Sequence, residues 1–576
     1  MAIYSDWGLN LNTKEVWQEY PRMQLQRDSY MSLNGIWEYQ ITAGRTLPSQ
    51  DAWKEIVVPF ALGSKLSGTS DQLKPGEILW YRKQFAYMPT VKHTWLNFEA
   101  VDQKCTIYIN GIEVGSHQGG YTPFSFDISH TIKYQNSLVV KCQDDSDQGI
   151  YAYGKQKLEH GGMWYTPSSG IWQSVWLEDL SDHAVQDIKI TPDYDEKKVY
   201  IDLAGNFTQA VINISAKGKL IHRGITIDAH YEAPINDIHP WTPDDPFLYD
   251  VYIQTEDDVV KSYFGMRKFS AGKDKDGHVR FCLNNKPLFL SGLLDQGYFP
   301  DGLMTYPSDE AICYELQKIK GMGFNMLRKH VKVECRRWYY HCDRLGLLVM
   351  QDMPSGGGPY DSMSLVYLPN IFGIRRLKDK DNPAMGRTNE ASKKLYYEEL
   401  DGMLDNLYNC ASIFAWVPFN EGWGQFDSGE VTAHIKSYDS TRLVDSASGW
   451  HDQGYGDFNS WHNYFHPIRV PKSDGRIFLL SEFGGYSYLE WGHSEAEKLY
   501  GYRKYKDKLA LDEAINRLYD HGILDNIKKG LSGCIYTQVS DVEDECNGLF
   551  TADRKVIKID EKKMRKMNER CIRRLR

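Results

Sequence analysis

Two stretches of this chain end an apolar run on a glutamate. Ser412–Gln425 reads SIFAWVPFNEGWGQ, an apolar strand that closes on Asn420-Glu421 and breaks at Gly422. Ile477–Ser487 reads IFLLSEFGGYS and carries Glu482 at the end of a second apolar strand. An ionised carboxylate in such a place costs free energy unless it is paired or put to use. A lone glutamate of this kind is ordinarily a surface or salt-bridged group. Two of them, one preceded by asparagine and both closely followed by glycine, point instead to carboxyl groups held for proton transfer and nucleophilic attack. They lie 482 − 421 = 61 residues apart, three strands on in the count that follows, so they can face each other across a barrel mouth.

The elements that must hold them are visible as an alternation of short apolar strands with amphipathic helices, the pattern of a parallel sheet. Eight strands are predicted: Leu288–Asp295, Phe324–His330, Leu347–Met353, Ile413–Glu421, Leu443–Ser448, Phe458–Tyr464, Ile477–Phe483 and Cys534–Asp541. Helices are predicted over Asp309–Gly321, Glu334–Leu345 and Asn389–Tyr408, while the fifth and sixth connections leave little room for one. Eight strands in roughly 300 residues make a C-terminal (β/α)8 TIM barrel, in which catalytic groups stand at the C-terminal strand ends. Upstream the reading is all-β. Thr94–Phe98, Cys105–Ile109 and Ser137–Val140 alternate between turn signals at Asn110-Gly111 and Gly119-Gly120, which predicts an N-terminal β jelly-roll. Asp187–Thr191, Val199–Leu203 and Tyr249–Gln254 predict an immunoglobulin-like β-sandwich. The charged turn Lys273–Gly277 is taken as a linker, so the expected domains are 1–180, 181–270 and 271–576.

At 576 residues the chain is too long for one core. A net charge of −10 and the lack of a basic stripe argue against a nucleic-acid partner. No apolar run is long enough for a membrane span. Met1–Asn10 shows neither a basic nor an apolar leader region, so a cytoplasmic location is expected. The 10 cysteines have no paired CxxC spacing and are expected as free thiols, with Cys335 and Cys342 packing in a helix rather than holding zinc. Aromatic residues make up 13% of the chain; their flat faces suit sugar C–H surfaces, and they also build β-rich cores.

Further motifs fall in a recognisable order. YPRMQLQRDSYMSLNGIW (Tyr20–Trp37), VPFALGSKLSG (Val58–Gly68), SGIWQSVWLE (Ser169–Glu178), WTPDDPFLYDV (Trp241–Val251) and YFGMRKF (Tyr263–Phe269) precede the barrel. GFNMLRKH (Gly323–His330), CDRLG (Cys342–Gly346), Asn420-Glu421 and SEFG (Ser481–Gly484) lie within it. Over nearly its whole length the sequence resembles glycoside hydrolase family 2, the β-galactosidase, β-glucuronidase and β-mannosidase family. The resemblance implies a retaining exo-β-glycosidase with Glu421 as acid/base and Glu482 as nucleophile. Physics agrees: carboxyls about 5–5.5 Å apart each oppose the other's ionisation, so one can attack while the other keeps its proton. By the same resemblance Arg328 hydrogen-bonds the nucleophile, Asn420 holds the sugar 2-hydroxyl and Tyr464 contacts the nucleophile. His330, His462, Asp295, Asp352 and Asp541 are candidates for sugar hydroxyls, and Trp423 and Trp461 for a stacking wall.

The chain departs from each familiar branch of the family. Where the glucuronidases carry an Asn-x-Lys motif, this chain has ECNGLF (Glu545–Phe550), with Asn547 in place of the lysine. Thr537 stands where the family places an eighth-strand tryptophan, and Gly162 replaces an acidic residue before Met163-Trp164. The metal-binding acid and histidine cluster is not recognisable, so neither a metal nor another cofactor is expected. A β-galactosidase is the first expectation, as the family's commonest substrate. Lys329 and Lys332 in RKHVKVE could bind a uronic acid and keep a β-hexuronidase, for glucuronides or galacturonides, as runner-up. A non-catalytic carbohydrate-binding protein is the rival from another class. The expected partner is a β-glycoside, and family members commonly form dimers or tetramers.

Overall fold

In the computed structural model, residues 2–575 are described apart from 45, 373–376 and 497. The first strands form two antiparallel sheets. One orders Tyr30–Ser32, Val175–Leu180, His93–Phe98 and Phe124–Asp127; the other has six strands and centres on Glu77–Ala86 and Gln135–Gln143. Period-2 alternation drives their packing, as in Gln135–Gln143, where Leu138, Val140 and Cys142 turn into a core shared with Trp37, Tyr81 and Leu96. A smaller sandwich follows, with a three-stranded sheet (Val185–Asp193, Lys198–Gly205, His230–Pro234) and a four-stranded one (Ala210–Ala216, Lys219–Thr226, Tyr249–Gln254, Val259–Phe264). Its core holds Ile188, Ile201, Ile212, Tyr249 and Val251.

The barrel strands are β1 (Leu290–Asp295), β2 (Met326–Lys329), β3 (Leu348–Asp352), β4 (Ile413–Val417), β5 (Leu443–Val444), β6 (Phe458–Asn463), β7 (Ile477–Gly484) and β8 (Leu531–Thr537). All ladders between them are parallel, in the order β5-β4-β3-β2-β1-β8-β7-β6. The remaining seam, between β5 and β6, is bridged by Asp457 N–H donating to Val444 O at 2.7 Å. The outer layer includes α1 (Asp309–Gly321), α2 (Arg336–Leu345), α3 (Glu390–Leu407), α4 (Ser428–Tyr438), α5 (Lys508–Leu518) and α6 (Glu561–Leu575). No helix forms in the fifth or sixth connection. Capping explains α1: Ser308 Oγ accepts from Ala311 N–H, with Asp309 and Glu310 in the first turn and Lys318 and Lys320 in the last. No helix among the described residues is long and apolar enough to cross a membrane. All 10 cysteines are free.

Alternation divides each strand between two clusters. Leu290, Leu294, Met326, Met350, Ala415, Ile477, Leu479 and Ile535 fill the inside, while Leu293, Leu327, Val349, Trp416, Phe478, Leu480 and Cys534 face the helices. The charged turn expected as a linker is instead the tip of a hairpin, Phe269–Lys273 with Val279–Leu283. Phe269, Phe281 and Leu283 of that hairpin pack with the inward strand residues, so it plugs one end of the barrel. The jelly-roll packs directly on the barrel: Trp17, Phe60, Tyr121, Tyr165 and Trp172 share a cluster with Tyr298, Met304, Tyr306 and Trp338. Its 150–169 segment docks through an Ala152–Gly356 bridge and through Tyr153 and Gly154 N–H donating to Ser355 O.

Candidate active site

Strict alternation would send Glu482 outward with Phe478 and Leu480. The ladder to β6 slips there: Trp461 pairs with Leu480 but His462 pairs with Glu482, leaving Ser481 as an extra residue. This bulge turns the Glu482 side chain inward, a use of β-bulges that recurs beside active sites. Glu421 arrives differently. The fourth strand stops at Val417, before Pro418, which cannot extend the ladder. The chain continues extended to Asn420, which bridges Ser448, and Glu421 N–H donates to Ser448 O at 2.9 Å. Glu421 sits at φ +52°, a left-handed conformation that costs a non-glycine residue about 1–3 kcal/mol. The turn beyond it needs glycine: a Cβ on Gly424, at φ +67°, would fall 2.4 Å from Gly356 O.

Arg328 is the hub between the two. Fully buried, its Nε donates to Asp352 Oδ1 at 2.9 Å, Nη1 to Glu482 Oε1 at 3.1 Å and Nη2 to Asn420 Oδ1 at 2.8 Å. Burial opposes its charge, but Asp352 and Glu482 outweigh that and hold its pKa above the ordinary value. Among the described residues Asn420 Nδ2 is buried without a partner, a donor left for something else. Tyr464 donates its hydroxyl to Glu482 Oε2 and stacks on Tyr502 at 3.6 Å. His330 Nδ1 lies 2.9 Å from Asp352 Oδ2.

His462 stands between the two glutamates, its Nδ1 2.7 Å from Glu421 Oε1 and its Nε2 3.3 Å from Glu482 Oε1. One oxygen or nitrogen from each of Glu421, His462 and Glu482 falls within 4.8 Å of the others. Such a trio could ligate a metal, but Arg328 already supplies the cation at Glu482. Burial lowers the His462 pKa to about 4, so the ring is neutral near neutral pH. Its Nε2 also lies 3.4 Å from Arg328 Nη1 and 3.1 Å from Ser448 Oγ. Burial pushes the Glu421 pKa up to about 7, against the opposing fields of Lys155 and Arg328. The arrangement sets a carboxyl that keeps its proton near neutrality beside a carboxylate held by Arg328 and Tyr464.

Around Trp423, expected as a stacking residue, the mouth contains groups that the sequence pattern did not suggest. Trp423 stands 5.0 Å from Trp164 and 6.4 Å from Tyr360, ring centre to ring centre, making an aromatic wall. Lys155, from the jelly-roll, reaches the same wall 5.8 Å from the Trp423 ring and 3.9 Å from Glu545. Tyr500 and Tyr502 enter from the 485–505 loop, which follows β7. The aromatic run YGYRKY was the one sequence signal for them; Lys155, in YGKQK, had none.

Four expected site residues are placed elsewhere. Asp295 and Lys332 belong to a buried ion cluster with Lys329 and Glu334: Lys329 pairs with Asp295 at 2.7 Å and Lys332 with Glu334 at 2.6 Å. The other donors of Lys332 go to the Gly297 and Met304 carbonyls, so none remains for a ligand. Asp541 is held by Lys558 at 2.6 Å. Trp461 is the outward neighbour of His462 and packs edge-on against Phe478 under the helix layer. Asn547 is buried in a protein network, accepting from Gln538 and facing Glu545.

Family models match three consecutive parts of the chain. They are the glycosyl hydrolase 2 galactose-binding domain-like model over residues 73–169, the glycosyl hydrolases family 2 model over 183–267 and that family's TIM barrel domain over 275–470. The last match takes in Glu421 and stops before Glu482. A β-galactosidase of Thermoanaerobacter pseudethanolicus is 27% identical over 310 residues, 48% of this chain and 39% of that protein. A putative β-glucuronidase of Formosa agariphila is 24% identical over 530 residues, 82% of this chain and 59% of that one. The chain thus spans about two fifths to three fifths of the length of these curated relatives. Among solved structures, a β-glucuronidase from an uncultured Clostridium superposes with a TM-score of 0.71 at 17% identity, covering 95% of this chain and 99% of that one. With three matched domains in family order around this barrel, the chain belongs to glycoside hydrolase family 2.

Proposed function

We propose that this chain is a retaining exo-β-glycosidase in which Glu482 attacks the anomeric carbon and Glu421 protonates the departing oxygen. The observation that carries the reading is the closeness of the pair: one oxygen of each carboxyl lies within 4.8 Å of the other and His462 meets both, as suits a retaining enzyme better than an inverting one with carboxyls about 6.5–9.5 Å apart. In the first step Glu482 displaces the aglycone as Glu421 gives up its proton. Esterification then removes the Glu482 charge, Glu421 ionises, and it draws a proton from the water that releases the sugar. Asn420 Nδ2 is available to the 2-hydroxyl, an interaction that strengthens as positive charge grows at the anomeric carbon.

A neutral terminal sugar, a galactoside first, is the substrate class that the charges favour. Arg328 is matched by Asp352 and Glu482, and Lys155 faces Glu545. The lysines that suggested a uronate are consumed by Asp295 and Glu334. The β-hexuronide reading keeps the support of relatives named β-glucuronidase. The test is a panel of aryl β-glycosides, neutral and uronic, followed by trapping with the matching 2-deoxy-2-fluoro glycoside. The expected result is a covalent sugar on the peptide containing Glu482 and no turnover by Glu482→Gln. Labelling at another residue would refute the assignment; binding without hydrolysis across the panel would leave a carbohydrate-binding protein.

A further inference from the structure

Lys155 is largely buried, at 6% exposure, and among the described residues its ammonium makes no hydrogen bond, only a loose ion pair. Its surroundings are Glu545 at 3.9 Å and the faces of Tyr165 and Trp423 at 5.6 and 5.8 Å. Glu545 cannot turn to meet it, because Tyr165 donates its hydroxyl to Oε2 and Asn547 Nδ2 approaches Oε1 at 3.5 Å. An ammonium at a pocket wall with no hydrogen bond of its own keeps its three donors for a group that enters the pocket. The backbone around it is firmly placed: Tyr165 N–H donates to Lys155 O at 2.9 Å, and Gly154 at φ +61° packs against Val331 O of the barrel. The side chain reaches the wall formed by Trp423, two residues after Glu421.

We propose that Lys155 is a specificity-determining residue of the sugar pocket, contributed by the jelly-roll, whose ammonium donates to a hydroxyl oxygen of the terminal sugar. Its place beside Glu545 gives that hydroxyl a cationic donor with a carboxylate alongside, a net-neutral pairing that suits a neutral sugar better than an acidic one. The catalytic domain is therefore incomplete without its N-terminal neighbour. The inference rests on the glycosidase reading above and deepens it. Lys155 also acts through space: its charge is the largest electrostatic influence opposing the rise in the Glu421 pKa. The other groups facing Glu421 stay as they are when Lys155 is changed. They are Arg328 from β2, His462 from β6, Glu482 from β7 and Glu545 from the loop after β8, with Tyr464, Tyr500 and Tyr502 in neutral form.

The test pairs Lys155→Met with substrates lacking one hydroxyl at C3, C4 or C6. The variant should lose about 10²-fold in kcat/KM on the parent glycoside, as expected when a buried polar group and its ligand are parted. One deoxy substrate should cost the wild type a comparable factor and cost the variant almost nothing. Without the Lys155 charge, Glu421 holds its proton to higher pH, so the basic limb of the kcat/KM profile moves upward; Lys155→Arg should return it. Equal losses on every deoxy substrate with an unmoved limb would make Lys155 a packing residue and overturn the proposal. A loss confined to uronides would overturn it in favour of a carboxylate anchor. Wild type inert on every aryl β-glycoside would instead sink the glycosidase reading itself.

Discussion

A Glu421→Gln variant should be both a poorer catalyst and a more stable protein, and the gain in stability should depend on pH. Burial displaces the Glu421 pKa from 4.5 to about 7. Between those values the folded barrel keeps a proton that the unfolded chain has released, so stability falls as pH rises through the window. A displacement of that size corresponds to about 3 kcal/mol, reached above about pH 7 and absent below about pH 4.5. Glutamine removes the titration while its amide can still hydrogen-bond His462 Nδ1 in either tautomer. The midpoint of urea unfolding, followed from pH 5 to 8.5, should diverge between wild type and variant as pH rises. Activity should divide by leaving group. Losing the acid costs about 10²–10⁴-fold on an alkyl glycoside, whose oxygen must be protonated, and far less on a dinitrophenyl glycoside, whose oxygen leaves as an anion. A stability difference independent of pH, or equal losses on both leaving groups, would mean that Glu421 is not the buried acid of this site.

Arg328→Lys keeps a charge but not a fork, and an ammonium cannot span Asp352, Glu482 and Asn420 together; kcat/KM should fall about 10²–10³-fold, whereas a loss under tenfold would remove Arg328 from the machinery. Lys332→Met leaves the buried Glu334 with a weaker cation, Lys329 at 3.3 Å, beside the Cys335 N–H, and should cost about 3–5 kcal/mol in unfolding measurements. The folded fraction of that variant should retain the wild-type KM on every substrate; a raised KM on uronides would restore Lys332 as a substrate anchor.

What the sequence revealed of this site, and what it concealed, follow from the range of the interactions involved. Strand and helix periodicity is local, so the eight barrel strands and the span of α1 could be read directly. Which neighbour on a strand faces inward depends on register. Trp461 and His462 are adjacent and equally suited to a sugar pocket, and only the pairing of β6 with β7 sends one to the helices and the other to the glutamates. The bulge at Ser481 is the sharper case: strict alternation places Glu482 on the wrong face, and one extra residue, set by the partner strand, corrects it. Asp295 and Lys332 failed for a related reason, since a charge at a strand end reads alike whether it meets a sugar or a buried counter-ion. Lys155 lies furthest from what a linear pattern can reveal, because its partners Trp423 and Glu545 are hundreds of residues away and on another domain. The pair of glutamates was visible because their chemistry demands a residue type at a strand end. Selectivity is spread over loops and a neighbouring domain, where only the assembled fold brings the groups together, so relatives that share the glutamates can differ in the sugar they accept.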